Sequence, residues 1–278
     1  MTLVNQFADS ERPETWHYGL VARWWTEFNV AQPEELAYYR AAIERFGQPA
    51  LDLACGTGRL LVPLLREGLD VDGADISADM LSRARKLAAV DGLTPALYEQ
   101  SMHELDLPRR YRTIYCCGSL GIGMSRAQVR QAIGRIFDHL EPGGGLVFDV
   151  DLPYAGIGPE AWARWLPKHR PAFPRPWRTD GDRRATADGD ELELITRGAE
   201  FDPLLQHEIL DMRARLWHDG AVIAEEEHRI RLPLYFAQEI LLLLDVAGFT
   251  DVVMEAQYEA RPATPDDESV VFLARRPS

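Results

Sequence analysis

The sequence predicts an α/β protein built on a doubly wound, largely parallel sheet, with an antiparallel β segment inserted late in the chain. Three observations carry this. Between residues 50 and 152 short apolar strands alternate with amphipathic helices, the pattern of right-handed βαβ units. The first of those strands, Ala50 to Ala54, runs straight into glycines at 56 and 58, as a strand-to-helix turn does. After Pro153 the rhythm changes to alternating polar and apolar residues, which fits antiparallel strands.

Taken in order, Leu20, Trp24, Trp25 and Phe28 fall at helical spacing, as do Leu36, Tyr39, Ile43 and Phe46 behind the Pro33 start signal. Two helices therefore precede the first strand. Beyond the glycines the pattern predicts a helix over 59–68, a strand over 69–75, and a helix over 77–92 with Ser77 as its N-cap. Strands over 94–100 and 112–121, a helix over 126–140 and a fifth strand over 144–152 follow. Trp, Pro and Arg then cluster up to Trp177. Alternating strands are predicted at 191–197, 207–217 and 222–232, the last two joined by an Asp219-Gly220 hairpin. A helix from Phe236 and two final strands, near enough to pair antiparallel, close the chain. The expected organisation is an N-terminal helical lid (1–47), a core (48–152), an inserted cap (153–234) and the continued core (235–278).

Composition narrows the function. A chain of 278 residues with 46% hydrophobic residues can bury a sizeable core. Thirty Lys plus Arg against 44 Asp plus Glu leave a formal charge of -14, which repels a phosphate backbone, so nucleic acid is not the expected partner. The arginines between Arg164 and Arg184 are broken up by prolines and carboxylates and read as a solvated loop. No leader pattern opens the chain and no stretch approaches 18 apolar residues, so no membrane span and a cytoplasmic location are expected. Cys55, Cys116 and Cys117 lack metal-ligand spacing and are expected as reduced thiols.

The chemistry concentrates after the first strand. Asp52 lies inside that strand, and small residues at 54, 56 and 58 around Thr57 let a ligand approach the backbone at a helix N-terminus. A second acid, Asp75, stands 19 residues beyond Gly56 at the end of the second strand, where a ribose diol needs an acceptor. That spacing also suits a nicotinamide dinucleotide. The dinucleotide fingerprint, however, wants a third glycine where this chain has Leu61.

On these residues LDLACGTG (51–58) resembles the first motif, and GADIS (73–77) the second, of the class I S-adenosylmethionine (SAM) dependent methyltransferases. The resemblance covers residues 48–150 well, the last helix and two strands moderately, and the cap loosely. It implies a Rossmann-like seven-stranded sheet ending in an antiparallel hairpin, with SAM as cofactor. The methionine part would lie against Ala54, Gly56 and Gly58, the ribose on Asp75, and the adenine between Ile76 and Met80. Where many members carry an acid before Met to accept the adenine amino group, this chain has Ser101 before Met102. Cys117 and Gly118 match the segment over the methionine end, the thiols as small buried residues rather than nucleophiles. Tyr18, Arg23 and Trp24 match a helix that closes over the cofactor carboxylate. CCGSLGIG offers no carboxylate and His set, so no metal is expected.

Methyl transfer from a sulfonium is an in-line displacement that needs positioning more than acid-base chemistry. An amine must arrive neutral, whereas a hydroxyl needs a base. His17, His103, His228 and Tyr235 are the candidate bases, with His103 and Tyr235 carried forward as catalytic candidates. The cap resembles covers of small-molecule methyltransferases, which implies N- or O-methylation of a metabolite, amino sugar or natural product. An exposed cap strand offers a homodimer contact. A catalytically silent SAM-binding regulatory subunit and a NAD-dependent oxidoreductase are the alternatives.

Overall fold

The computed structural model describes residues 15, 17–156 and 158–278. The opening residues 1–14, where no leader pattern is predicted, lie outside the described residues, as do 16 and 157.

The chain begins with two helices, α1 (Gly19–Phe28) and α2 (Pro33–Phe46). The alternation then runs β1 (Ala50–Leu53), α3 (Leu61–Arg66), β2 (Val71–Asp75), α4 (Ala78–Val90), β3 (Leu97–Glu99), β4 (Tyr111–Cys116), α5 (Arg126–His139) and β5 (Leu140–Asp151). A 3-10 turn over Pro159–Trp165 leads to β6 (Asp182–Ala185), β7 (Glu191–Asp202), β8 (His207–His218) and β9 (Ala221–Pro233). Helix α6 (Ala237–Ala247) and strands β10 (Thr250–Ala256) and β11 (Ser269–Arg275) finish the chain.

Seven strands form one sheet in the order β10-β11-β5-β4-β1-β2-β3. Its first five strands in sequence pair parallel, while β11 runs antiparallel to both β5 and β10. The sheet is therefore the predicted doubly wound one, with the predicted terminal hairpin. Strand β1 is buried throughout, as a central parallel strand must be. The direction of winding reverses between β1 and β4, which opens a crevice beyond their carboxyl ends.

Helices cover both faces. On one, α5 and α6 pack Val129, Ile133, Ile136, Ile240 and Leu244 against Ile114, Phe148 and Phe272. On the other, Tyr39, Ile43 and Phe46 of α2 join Leu61, Leu64 and Leu81 over Val147 and Leu273. The predicted helical lid thus divides: α2 is a core layer, whereas α1 packs elsewhere. Leu61, in the place of the third glycine, is wholly buried in this layer.

Strands β6 to β9 form a separate antiparallel sheet. Helix α1 lies on it, placing Leu20, Val21 and Trp24 against Leu192, Leu194, Met212 and Ile230. Cross-strand ion pairs such as Arg197 and Arg229 on Asp211, at 2.8 and 2.7 Å, tie its strands. Strand β6 was not predicted because its sequence, DRRA, is polar and wholly exposed. Its Arg183 and Arg184 pair with Glu191 and Asp182, so these arginines are neutralised rather than free in a loop.

Gly145 of β5 lets α2 sit close, because a Cβ there would stand 2.4 Å from the ring of Phe46. Gly145→Ala should destabilise the fold by about 1–3 kcal/mol through overpacking. The midpoint of urea unfolding measures it, and a midpoint equal to that of the unaltered protein would show that the layer tolerates the methyl group.

Candidate cofactor cleft

A cleft with about 1240 Å³ of empty volume, part of it open to solvent, lies beyond the carboxyl ends of β1 to β4. Its wall is built outward from the turn after β1. Ala54, Gly56 and Gly58 have φ of 61°, 54° and 82°, a left-handed conformation that favours glycine. A Cβ on Gly56 would meet nothing within 4 Å, so this backbone faces open space. Gly58 differs: a Cβ there would stand 3.1 Å from Val62 and 3.3 Å from Ala84, and it lies outside the lining. Gly58 serves close packing of the loop on α3 and α4.

Asp75 ends β2 and holds the turn in place. Its Oδ2 accepts the Gly56 N–H at 2.9 Å and its Oδ1 accepts the Ser77 N–H at 2.8 Å. Ser77 caps α4 as predicted, accepting from the Met80 N–H at 3.2 Å. Burial pushes the Asp75 carboxyl above the usual range, and these N–H donors oppose the shift. Asp52, buried beside them, is pushed up to about 7 by desolvation, with Arg59 opposing.

Most of the predicted residues meet here. Asp52, Ala54, Gly56, Thr57, Asp75, Ile76, Met80, Ser101, Met102, His103, Cys117 and Gly118 all line the cleft. Besides Gly58, the predicted Tyr18, Trp24 and Tyr235 do not. Trp24 is buried between α1 and the second sheet, its ring 4.6 Å from Phe28. Tyr18 lies on the His228 ring at 4.3 Å, outside the lining. Tyr235 is buried in the core under the Arg126 guanidinium at 3.8 Å. Burial pushes its phenol up to about 12, so it is no base near neutrality. The resemblance to a lid helix suggests Tyr18 and Trp24, and a place near the expected pocket mouth suggests Tyr235, but packing on the second sheet and in the core accounts for these residues.

His17 does line the cleft, with Nδ1 3.1 Å from the Thr15 hydroxyl. Burial, then the nearby His228, push it down to about 4, so its ring is neutral at pH 7. His228 is buried, with Nε2 3.1 Å from Glu226.

A polar cluster beneath the cleft was missed. Arg59 lines the cleft, pairs with Glu35 of α2, and donates to Cys117 Sγ at 3.1 Å. The Cys117 thiol donates to Glu35 at 2.8 Å. Burial works against ionised Glu35, but bonds from Arg59 and Cys117 outweigh it and hold its carboxyl below the usual range. Burial and the neighbouring Asp149 push the Cys117 thiol up, which agrees with a thiol that is no nucleophile. Asp149 accepts from the Gly118 N–H at 2.8 Å, Tyr39 at 2.6 Å and Tyr258 at 3.2 Å, fixing the turn after β4. The available signals were an arginine directly after Gly58 and an acid inside the apolar strand GGLVFDV. Among the described residues no group of three or more His, Cys, Asp or Glu could hold a metal ion.

The raised Asp52 carboxyl has a consequence for stability. Between its unfolded value near 3.8 and its folded value of about 7 the native state holds a proton that the unfolded state has lost. Stability contributed below the lower value is therefore lost as pH rises through the upper one. Asp52→Asn should flatten the fall in urea midpoint between pH 5 and pH 8, and an undiminished fall would assign it to other groups.

Comparison with known proteins agrees with this cleft. Residues 50–144 match the family described as "Methyltransferase domain". The ubiquinone biosynthesis O-methyltransferase of Chelativorans sp. (strain BNC1) is 30% identical over 173 residues, 59% of this chain and 67% of that protein. The corresponding protein of Sodalis glossinidius (strain morsitans) is 31% identical over 155 residues, 51% of this chain and 58% of that one. The chain spans 41–58% of the length of the first three curated relatives it matches. Among solved structures, the sugar N-methyltransferase KedS8 from Streptoalloteichus sp ATCC 53650 has the same fold, with a TM-score of 0.66 at 19% identity, over 100% of this chain and 99% of that one. With the glycine turn and its two acids inside the matched domain, and a curated relative matched over two thirds of its length, the chain belongs to the class I SAM-dependent methyltransferases.

Proposed function

We propose that this protein transfers the methyl group of SAM to a nitrogen or oxygen of a small molecule held between the seven-stranded sheet and the second sheet. The observation that carries the reading is the bare Gly56 backbone facing the cleft beside Asp75, at the reversal between β1 and β4. The residues present fit the cofactor. Asp75 has lone pairs left for ribose hydroxyls, and Ile76 and Met80 offer apolar walls for adenine. Arg59 brings a guanidinium and Asp52 a carboxyl to the methionine end, polar partners for the carboxylate and amino group of an amino acid.

SAM supplies a methyl group on a sulfonium, which is its own leaving group. The chain then has to orient the acceptor and exclude water. Ser119, Ile122 and Met124, in the loop after β4, line the cleft beyond the cofactor residues. That loop meets the second sheet, where the Gly123 N–H donates to Arg231 O at 2.8 Å. The second sheet is thus read as the substrate-side cap (153–234). His17, pushed down to about 4, is a weak proton acceptor near pH 7, so no base role is assigned to it.

Both chemistries occur among relatives: the Chelativorans protein is named an O-methyltransferase and KedS8 a sugar N-methyltransferase. Leu61, buried where a dinucleotide site needs glycine, weighs against a nicotinamide cofactor. The reading includes a cytoplasmic setting, supported by three free cysteines, and homodimer contact through the exposed edge strand β6. No helix among the described residues is long and apolar enough to cross a membrane.

Titration calorimetry with SAM, followed by mass spectrometry of amine and hydroxyl libraries, tests the proposal. SAM binding with methyl transfer is expected; NAD binding without SAM binding would overturn it, and SAM binding without any transfer would favour a silent subunit. Asp75→Ala should weaken SAM binding by roughly 1.5–3 kcal/mol, about ten- to a hundredfold, by removing a charge-assisted contact. An unchanged affinity would refute the ribose assignment.

A further inference from the structure

The two ends of the cleft differ in charge. Among the described residues its carboxyl groups and its guanidinium, Asp52, Asp75 and Arg59, belong to β1, β2 and the turn after β1. The other end is built by α1 and the loop after β4. There Trp25, Asn29, Ser119, Ile122 and Met124 line the wall, with no carboxylate, lysine or arginine among them. The His17 ring, 5.8 Å from that of Trp25 and edge-on to it, is neutral at pH 7. An ionised group brought to this end would lose its water and meet no counter-charge.

This end takes its shape from the cap. Trp25 and Ile122 both pack on the apolar cluster that joins α1 to the second sheet, and both also line the cleft. Asn29 follows Trp25 by one helical turn, and its N–H donates to Trp25 O at 3.2 Å as α1 ends. Backbone thus caps the helix, and the half-buried Asn29 amide has no hydrogen-bond partner among the described residues. Its oxygen and its two N–H hydrogens remain for a ligand. Ser119, by contrast, already donates its hydroxyl hydrogen to Cys117 O at 3.0 Å.

We infer that Trp25 and Asn29 select the methyl acceptor, an uncharged aromatic ring against the Trp25 indole whose hydroxyl or carbonyl group pairs with the Asn29 amide. This rests on the methyltransferase reading of the cleft and narrows its acceptor. Aromatic rings gain from offset or edge contacts with an indole, and the Met124 thioether favours a ring beside it. The reactivity of such an acceptor agrees with a wall to which no base is assigned. An aromatic amine is neutral at pH 7, and a phenol ionises more readily than an alkyl hydroxyl. An aliphatic amine arrives as an ammonium ion, which this end does not balance.

The test measures binding to the protein loaded with S-adenosylhomocysteine, by calorimetry at pH 7. The probes are para-hydroxybenzamide, para-hydroxybenzoate, which has nearly the same shape but is an anion, and the cyclohexane counterpart of the benzamide. The benzamide should bind tightest and the benzoate roughly tenfold or more weaker. Asn29→Ala removes no bond that holds the fold, and should weaken the benzamide severalfold while leaving S-adenosylhomocysteine unaffected. Trp25→Phe, which keeps an aromatic ring, should retain the preference for the benzamide over the cyclohexane, and Trp25→Leu should abolish it. Benzoate binding as tight as benzamide overturns the uncharged acceptor, and an equal affinity for the cyclohexane form overturns the aromatic one. Loss of S-adenosylhomocysteine affinity in Asn29→Ala, with benzamide binding unchanged, assigns Asn29 to the cofactor and overturns the inference alone. Failure of the unaltered protein to bind S-adenosylhomocysteine overturns the SAM reading and the inference with it.

Discussion

Everything in the cleft depends on burying the Asp75 carboxylate at the end of a strand. A buried carboxylate is costly unless donors replace the water it loses. Here the donors are the Gly56 and Ser77 N–H groups, and supplying them dictates local structure. The turn after β1 must curl back through left-handed backbone to aim Gly56 at the acid, and α4 must begin at Ser77. The acid thus organises the turn and the helix start before any ligand arrives. Asp149 repeats the device at the neighbouring strand end, where the Gly118 N–H and two tyrosine hydroxyls hold the turn after β4.

The roof is held differently, by contacts distant in sequence. The Ser77 hydroxyl donates to His17 O, the Gly19 N–H donates to Asp79 at 2.8 Å, and the Leu20 N–H donates to Glu226 at 2.8 Å. The segment leading into α1 is therefore stitched to α4 on one side and to β9 on the other. Its His17 and Trp25 face the cleft while Trp24, one residue earlier, turns into the second sheet. A single helix thus joins the two sheets, and its aromatic residues divide between a lining role and a packing role.

That division explains what the sequence could disclose. The strand and helix alternation, the glycine turn, Asp75 and the Ser77 cap are local patterns, and all stand where the spacing predicts them. Tyr18, Trp24 and Tyr235 lie outside the cleft lining because a motif or a spacing reports that a residue is near a site, not what it packs against, and Gly58 because its small size serves the packing of α3 and α4. Trp24 and Trp25 are equally apolar, and only the position of the second sheet decides between them. Arg59 was overlooked because its partner Glu35 lies on α2, a helix expected to cover the cleft but found beneath it. His103 lines the cleft wall, and its contact with Gln128 of α5 at 3.2 Å joins two elements 25 residues apart, which no local spacing reveals.

The same reasoning separates the two halves of the reaction by how they are encoded. The donor half is built at the ends of four neighbouring parallel strands, so each contributing residue lies within a few positions of a strand end. Backbone N–H groups and short acids do this work, and they tolerate little change without losing the turn itself. In the proposed reading the acceptor half is assembled from the start of α1 and the loop after β4, which line the cleft, under a cover formed by the second sheet. There side chains such as Ile122 and Met124 can vary without disturbing any buried carboxylate. One sheet of this fold can therefore keep a fixed methyl donor while the cover above it changes acceptor.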